Sequence, residues 1–420
     1  MTATTIAQVL NNFNPRMPLS GQNLRLWFVP RASSPRRRLE IQLRQQRQPL
    51  KILLVGHRGS GKTTELNKLA GEMTEHFETV GFDVLNITGR STLGYEDLML
   101  SLSTQVTRYA IEKGLIGRPL SDPLQEGWQR LSDWWRQVVA GLEIGRRSGE
   151  VETFASLNTL LGEIEIGVTQ SAFTRDQINQ QLDRQMPELV RHLNWVIDEA
   201  NRHLHPRRLL LIVEGLDKVD LAAARSVFRD HAPTITSLNA AMIYTFPLAL
   251  RYSEDYLTVL RHFHQDYYLH NLALRHADGS DDAEGVQTLR QIVRQRLRES
   301  LIAADALEQI VFASGGIPLD LVKLVSGAAL YALERDEAAE AIVLSDAQNA
   351  IKDLRRELAA NLSMAEWQLL RQRHTDRRLS NETAIQQLLY KGALIEYSND
   401  IQWCDVHPAL WGLLEHFTES

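Results

Sequence analysis

An α/β domain built on a parallel sheet with helices on both faces, followed by an all-helical region, is the fold class that the sequence predicts. Residues 51–55 form a short apolar run that glycines follow at once, as expected for a buried parallel strand. Apolar residues then recur at helical spacing, and a second strand over 82–87 and a helix over 98–106 repeat the alternation. From about residue 282 the pattern is typical of helices only.

Three further strands and an insertion complete the predicted core. Strands are predicted over 208–213, 240–245 and 267–272. Between about 120 and 172 the rhythm is interrupted, and the alternation over 154–168 predicts a β-hairpin after a helix. A capping box at Thr174–Gln177 predicts the start of a long helix, with Pro187 as its kink.

The domain organisation follows from these elements. Residues 1–50 form an N-terminal segment leading into the core, and 51–275 form the core with its insertion. Residues 276–344 form a helical lid, since the polar stretch 276–285 separates the two patterns. Capping boxes beginning at Ser345 and Ser363 predict helices, and strands at 393–397 and 401–404 flank a turn. Residues 345–420 therefore have the outline of a winged-helix domain.

Composition excludes several classes of protein. The chain has 420 residues, 44% of them hydrophobic and 23% charged, which is typical of a globular multidomain protein. A single cysteine, Cys404, excludes an internal disulfide and predicts a packing role. No apolar run is long enough for a membrane helix and no leader is present, so we expect a cytoplasmic protein without a membrane partner. The net charge of −6 argues against broad attraction to nucleic acid.

A phosphate-binding loop is predicted at Gly56-His-Arg-Gly-Ser-Gly-Lys62-Thr63, which matches the complete Walker A pattern between a predicted strand and a predicted helix. Lys62 would neutralise the β- and γ-phosphates, and the Thr63 hydroxyl would bind Mg²⁺. The alternative is a glycine-rich turn with a purely structural role, but the flanking strand and helix argue against it. The remaining residues expected to bind the nucleotide here are Gly56, Gly59, Ser60, Gly61 and Thr64.

A second set of site residues is predicted at the end of the 208–213 strand. Glu214 faces the crevice of the sheet and would hold Mg²⁺ as a Walker B acid, and Asp217 would orient the attacking water. The alternative is an ordinary strand end with solvated acids. A catalytic glutamate often follows the Walker B acid directly. Here Gly215 occupies that position, which predicts slow hydrolysis. Thr245, at the end of the next strand, is equally consistent with a γ-phosphate sensor and with a structural residue.

Taken together, these motifs resemble the STAND branch of the AAA+-like ATPases. Gly316-Ile-Pro318 matches the family's glycine-x-proline motif, which implies contact between Pro318 and the nucleotide. Residues 27–31 lie where the family has its adenine-binding motif, with Pro30 in place of glycine and Ala32 in place of glutamate, so the resemblance carries only Arg31 over. Leu319 and Asp320 stand where a replication initiator often has a sensor arginine. That favours the switch-like branch.

The resemblance implies an ATP- and Mg²⁺-dependent switch that ADP holds closed and ATP opens for assembly. The partner would be a second copy of the chain or a separately encoded effector, as in bacterial defence or regulatory systems. The alternative is a DNA-acting AAA+ ATPase of the replication-initiator or transposition-regulator type. Residues 361–420 are net acidic. Because contacts with phosphate dominate affinity for DNA, this charge favours protein over nucleic acid as the partner of the predicted winged helix.

Two alternatives concern hydrolysis and partner binding. A scaffold that binds nucleotide without hydrolysis remains an alternative because of Gly215, whereas a GTPase is disfavoured because no Asn-Lys-x-Asp follows a strand. Trp128, Trp134 and Trp135 could anchor a partner, but tryptophans at helical spacing more often belong to a core.

Overall fold

The computed structural model describes residues 1–88, 93–115, 122–140, 154–399 and 401–415. Five parallel strands form its main sheet, in the order β2-β3-β4-β1-β5. The strands are β1 (Lys51–Gly56), β2 (Phe77–Asp83), β3 (Arg208–Glu214), β4 (Ala241–Pro247) and β5 (Gln265–Tyr268). Every residue of β1 and of β4 is buried, which explains their continuous apolar sequences.

Strand β1 lies between β4 and β5, so it is separated from β2, the next strand in the sequence, by two strands. Leu54 pairs with Thr245 of β4, and Val213 of β3 pairs with Tyr244. The carboxyl ends of β1, β3 and β4 therefore meet at one edge of the sheet, which is where α/β proteins bind ligands.

Helices cover both faces of the sheet and make up most of the remaining described residues. Those of the N-terminal part and the core are α1 (Ile6–Asn12), α2 (Gly21–Trp27), α3 (Arg36–Gln45), α4 (Lys62–Glu72), α5 (Val84–Thr88), α6 (Tyr95–Glu112), α7 (Asp122–Val138), α8 (Phe154–Gln170), α9 (Ala172–Arg184), α10 (Met186–Leu204), α11 (Leu221–Arg225), α12 (Ala232–Thr236), α13 (Leu248–Arg251) and α14 (Tyr256–Leu260). The later ones are α15 (Ala283–Arg294), α16 (Ala304–Ala313), α17 (Pro318–Arg335), α18 (Leu344–Ala359), α19 (Met364–Asp376) and α20 (Thr383–Lys391).

The predicted β-hairpin over 154–168 is wrong, because α8 occupies this segment. The segment also contains alternating apolar positions, which favoured the strand prediction. Its buried side chains recur every three or four residues and therefore line one helical face: Leu157, Leu160, Leu161, Ile164 and Val168. Residues 141–153 of the predicted insertion, and the side chain of Trp128, lie outside the described residues. Trp134 and Trp135 are buried, which agrees with a packing role rather than an exposed anchor.

The predicted long, kinked helix after residue 174 is two helices, α9 and α10. The cap of α9 is Ser171, whose hydroxyl accepts a hydrogen bond from the Thr174 N–H, so the predicted capping box at Thr174 is wrong. Pro187 lies in the first turn of α10, where its missing N–H costs no helical hydrogen bond.

The N-terminal segment is shared between two parts of the molecule, whereas we predicted that it leads as a whole into the core. Helix α1 packs on α17, and Ile6, Val9 and Phe13 are buried among the later helices. The Ala3 N–H donates to the Arg296 carbonyl over 2.8 Å. Helix α3 instead packs on α4 of the core.

Helix α18 packs on α16 and α17, with Ala347, Ala350 and Leu354 buried among them, although the predicted boundary at 345 assigned it to the last domain. Its N-terminal carboxylate is Asp346, which accepts from the Val343 N–H, so the box predicted at Ser345 is displaced. The box at Ser363 is present as predicted. We call α15–α18 the lid helices.

The remaining elements form a compact C-terminal unit, which we define as residues 363–415. It consists of α19, α20, the strands β6 (Leu394–Ser398) and β7 (Gln402–Val406), and a 3₁₀ turn over Pro408–Leu413. The two strands pair antiparallel, as predicted for the terminal hairpin. Cys404 is buried in this unit, in agreement with its predicted packing role. In the described part of the chain, we find no helix of the length and apolar character that crossing a bilayer requires.

Candidate nucleotide site

The loop between β1 and α4 is shaped by glycines with positive φ. Gly59 has a φ of +87°, which disfavours side chains, and a Cβ there would lie 2.8 Å from the Leu319 Cβ. The loop ends at Lys62, the first residue of α4, so the N-terminal amides of this helix face the same space. The Ser60 hydroxyl is buried and has no hydrogen-bond partner among the described residues, which leaves it free to contact a phosphate oxygen.

Lys62 lies buried at the centre of this loop. Its Nζ donates to the carbonyl oxygens of Gly56 and His57, each over 2.8 Å, and lies 2.9 Å from Oδ2 of Asp217. Burial alone would raise the pKa of Asp217, but the positive charge and hydrogen bond of Lys62 outweigh it and the pKa is lowered. The two predicted site residues therefore form a buried ion pair across the loop.

Thr63 and Glu214, the two predicted Mg²⁺ ligands, are in direct contact. The Thr63 hydroxyl donates a short hydrogen bond to Oε2 of Glu214. Burial raises the pKa of Glu214, and the hydrogen bond from Thr63 only partly opposes this. A hydroxyl and a carboxylate that converge beside a phosphate loop suit Mg²⁺, which takes one or two protein oxygens plus phosphate and water oxygens. The residues present therefore fit the ion.

Gly215 has a structural reason to lack a side chain, since a Cβ there would lie 2.1 Å from Oδ1 of Asp83. Asp83 itself accepts a hydrogen bond from Nζ of Lys218 over 2.7 Å. The sequence could not indicate this pair, because β2 and β3 become neighbours only in the sheet.

Thr245 lies inside β4 rather than at its end, and its buried hydroxyl has no hydrogen-bond partner among the described residues. It lies close enough to Asp217 to help lower the pKa of that carboxyl, although the geometry falls short of a hydrogen bond. Buried polar groups usually have a hydrogen-bond partner, so this hydroxyl beside the Lys62–Asp217 pair is available to a ligand in the loop.

A cleft of about 910 Å³ extends from these groups along α4. Its lining includes Lys62 and Thr64 at one end of α4 and Asn67 and Ala70 further along the helix. The eight residue steps from Lys62 to Ala70 correspond to about 12 Å along α4. This length leaves room for a nucleoside beyond the phosphates. Residues 14–19 form the opposite wall, and the Asn67 amide holds this segment by donating to the Leu19 carbonyl over 2.9 Å.

The lid helices reach the phosphate loop at the start of α17. The Leu319 N–H donates to the Gly59 carbonyl over 3.2 Å, and Pro318 lines the cleft. Because Gly59 has no side chain, the backbone of α17 can approach this closely. The structure thus brings the predicted Gly316-Ile-Pro318 motif to the predicted site.

The C-terminal unit also contacts the loop. The Glu396 N–H donates to Nε2 of His57 over 2.8 Å, and His57 is 4% exposed. Burial lowers the pKa of His57 to about 4 despite the nearby Glu396 carboxylate. The imidazole is therefore neutral near pH 7, as its acceptor role requires.

Arg31 is not in the cleft lining, although we expected it to receive the adenine. Its Nη2 lies 2.7 Å from where a Cβ of Gly61 would stand, so the guanidinium group lies against the loop. Burial lowers its pKa, and Glu65 partly opposes this. Two arginines that sequence reasoning missed, Arg58 and Arg296, do line the cleft. Arg58 stands in the Walker A pattern at a variable position, and Arg296 comes from the lid.

Comparison with known proteins supports the fold. The sequence matches no protein-family model and no curated protein. Among solved structures it is similar to a Walker-type ATPase, PABY2304 of Pyrococcus abyssi, with 14% identity and a TM-score of 0.51 over 96% of this chain and 99% of that chain. The chain therefore has a P-loop NTPase fold with a helical C-terminal region.

Two further solved structures are similar at lower TM-scores. The ORC1 protein of Aeropyrum pernix, solved in complex with DNA, has a TM-score of 0.43 and 11% identity over 97% of this chain and 96% of that chain. Cdc6p of Pyrobaculum aerophilum has a TM-score of 0.42 and 14% identity over 93% of this chain and 95% of that chain.

Proposed function

We propose that this chain is an AAA+-type ATPase that acts as a nucleotide-dependent switch. One observation carries the proposal: two residues inside the phosphate-binding loop are hydrogen-bonded to other parts of the molecule. Gly59 accepts from Leu319 of the lid, and His57 accepts from Glu396 of the C-terminal unit. Any ligand that rearranges this loop therefore acts directly on the contacts that hold the three parts together.

The bound ligand would be ATP or ADP with Mg²⁺. Lys62 would exchange its contacts with Asp217 and two carbonyls for phosphate oxygens, and Thr63 would exchange Glu214 for the metal. Asp217, once released from Lys62, would be available to orient a water molecule towards the γ-phosphate. Because the Lys62–Asp217 and Thr63–Glu214 contacts must be broken first, we expect slow hydrolysis.

The proposed resting state is closed. The C-terminal unit shares one continuous apolar cluster with the core, which includes Trp367, Leu388 and Cys404. Apolar burial of this extent makes opening costly. A shift from mostly closed to mostly open needs about 5 kcal/mol of differential nucleotide affinity. Contacts from the core and the lid to one nucleotide are the proposed source of that difference, with assembly of the open form as the output.

We further propose, following the resemblance to STAND proteins, that the C-terminal unit is a winged helix that packs on protein. The observation in favour is that α20 faces the core. Its Gln386 is buried and accepts a hydrogen bond from Arg225 over 2.9 Å, and the Tyr390 hydroxyl donates to the Lys218 carbonyl over 3.3 Å. A DNA-acting ATPase that used α20 would first have to release these contacts.

Small-angle scattering and sedimentation of the full chain test the proposal. We expect the Mg²⁺ complex of a non-hydrolysable ATP analogue to be larger, in radius of gyration or in mass, than the ADP complex. The Lys62→Ala variant serves as the control and should give one result with either nucleotide. Equal shape and mass in both nucleotide complexes of the wild type, with binding verified by calorimetry, would exclude the switch.

A further inference from the structure

Positive charge is concentrated in the N-terminal segment of this chain. Residues 1–50 contain eight arginines and a single acid, Glu40, for a net charge of +7. The whole chain has a net charge of −6, so residues 51–420 together carry −13. Such a separation of charge within one chain produces a local field that the overall charge conceals.

Helix α3 carries arginines where helix stability disfavours them. Its first turn is Arg36-Arg37-Arg38, without an acidic residue. The N-terminus of a helix has a partial positive charge that favours acids and disfavours cations. A sequence that breaks a local rule without a gain in stability is expected at functional sites.

Of the three arginines, Arg36 is the one held between the helix and the core, and Arg37 and Arg38 stay exposed. Arg36 lies 3.2 Å from Glu65, also pairs with Glu72, and lies over the Phe28 ring. Arg37 and Arg38 are exposed, and Arg44 is exposed on the same side of the helix as Arg37, two turns further on. Arg37 to Arg44 spans about 10 Å along the axis.

The negative partner of these arginines lies beneath them. Glu40 is 8% exposed and accepts from Arg37 over 2.6 Å and from Arg44 over 3.1 Å. It orients both guanidinium groups, and each keeps free N–H donors for a ligand. Arg47 continues the exposed cationic row past the end of the helix. Neither Arg38 nor Arg47 has an ion pair with a described residue, although Arg38 lies 5.9 Å from the centre of the Tyr267 ring.

A purely structural explanation accounts for part of this row. Cations near the C-terminus of a helix interact favourably with its dipole, which explains Arg44 and Arg47. The ion pair with Glu40 accounts for part of the placement of Arg37, but neither this pair nor the dipole explains Arg38 at the opposite end of α3. A phosphate-bearing partner explains all four.

We propose that the exposed face of α3, formed by Arg37, Arg38, Arg44 and Arg47, binds the phosphate backbone of duplex DNA without sequence preference. Arginine suits phosphate because its planar group donates two hydrogen bonds at once. The only exposed large apolar side chain on α3 is Ile41, and the Tyr267 ring beside Arg38 is partly buried and hydrogen-bonded to Gln42, so α3 itself presents no aromatic ring on which a single strand could stack. The proposal goes beyond the nucleotide switch and does not depend on it.

The test is fluorescence anisotropy of a labelled duplex without a defined sequence, titrated with the full chain at several salt concentrations. The principal variant, Arg38→Gln with Arg47→Gln, breaks no ion pair with a described residue. We expect the slope of log K against log salt to fall by about two and affinity at low salt to fall roughly tenfold or more. Nucleotide affinity and melting temperature should stay as in the wild type.

Two matched variants complete the design. Glu40→Gln removes the negative charge beneath the face and should tighten duplex binding. Arg371→Gln with Arg378→Gln removes two exposed arginines from the C-terminal unit and should leave binding unchanged. Loss of binding in that variant, or an unchanged slope in Arg38→Gln with Arg47→Gln, would overturn the proposal.

Competing ligands separate the remaining interpretations. Single-stranded DNA, duplex RNA, a polyglutamate peptide and vesicles with anionic lipid are added to the same assay as unlabelled competitors. Duplex DNA should compete best. If polyglutamate or vesicles compete as well as duplex DNA, the face is a general cation surface and the proposal is wrong.

Discussion

The Glu396 backbone N–H donates a hydrogen bond to Nε2 of His57, which ties the residue after Gly56 to strand β6 of the C-terminal unit. His57 is buried, and burial lowers its pKa to about 4. The bond requires a neutral imidazole with its proton on Nδ1. Besides burial, the titratable groups that influence the pKa of His57 are Glu396, Lys62, His407 and His270.

Acid should therefore open the contact between the loop and the C-terminal unit. The pKa of His57 is depressed in the closed form and returns towards 6.5 when the residue is exposed, so the open form binds more protons between these values. The stabilising contribution is fully present above about pH 6.5 and is lost as the pH falls towards about 4. We expect nucleotide dissociation, measured with a fluorescent ADP analogue, to accelerate from pH 7 to pH 5.

His57→Gln is the matched control, since glutamine can accept the same hydrogen bond but does not titrate. Its dissociation rate should depend less on pH over this range than that of the wild type. An equal pH dependence in both proteins would show that another group is responsible.

Lys62→Ala should remove nucleotide binding and also destabilise the protein. The sequence alone predicts that the fold is untouched, because it assigns Lys62 no core contact. In the structure Lys62 neutralises Asp217 in a buried ion pair, and removing one partner of such a pair costs about 3–5 kcal/mol. Calorimetry should show at least a roughly 100-fold loss of affinity, and urea unfolding a lower free energy of unfolding.

The double variant Lys62→Met with Asp217→Asn separates these two effects. It removes both charges, so most of the lost stability should return while nucleotide still fails to bind. If the double variant is as unstable as Lys62→Ala, the ion pair does not explain the loss.

Asp217→Asn and Glu214→Gln should each slow hydrolysis more than they weaken binding. Asparagine keeps the shape of Asp217 but removes the charge that holds Lys62, so affinity for ATP should stay level or rise. We expect the hydrolysis rate to fall by about 100-fold in each variant, as for loss of a residue that positions metal or water. Steady-state phosphate release and calorimetry provide the two numbers. Normal turnover in both variants would show that these acids are not catalytic.

The parts of the site that lie close together in sequence were predictable. Gly56 to Thr63 is one loop, and its strand and helix are visible in the local pattern. Glu214 could be predicted because it ends a buried strand. The contact of His57 with Glu396 could not, because it joins residues 339 positions apart through a backbone N–H that leaves no sequence signal.

The failures have a common physical cause, since local patterns do not say what a segment packs against. Residues 154–168 alternate like a strand, yet Leu157, Leu160, Leu161, Ile164 and Val168 lie on one buried face of α8. Helix α1 is separated from the lid by the whole core in sequence, and only its packing on α17 assigns it there. Arg31, which the resemblance places at the adenine, has its guanidinium group against Gly61, and the lining of the cleft does not include it.

Gly315→Ala should loosen the C-terminal unit from the lid. Gly315 has a φ of +59°, and a Cβ there would lie 2.6 Å from Cδ1 of Ile395 in β6. The Gly315 carbonyl also accepts a hydrogen bond from the Tyr397 hydroxyl over 2.8 Å, so a shift of this turn disturbs two contacts with one strand. Since Gly315 does not line the nucleotide cleft, the direct contacts with the ligand should survive.

The expected result is a protein that binds ADP but no longer holds the closed arrangement. In small-angle scattering the ADP complex of Gly315→Ala should have a larger radius of gyration than the wild-type ADP complex. Gly71→Ala is the matched control, because Gly71 lies in α4 with nothing within 4 Å of the added methyl group. It should keep the wild-type shape and gain roughly 0.5–1 kcal/mol of stability. An unchanged radius for Gly315→Ala would mean that the contact between Gly315 and β6 does not hold the C-terminal unit in place.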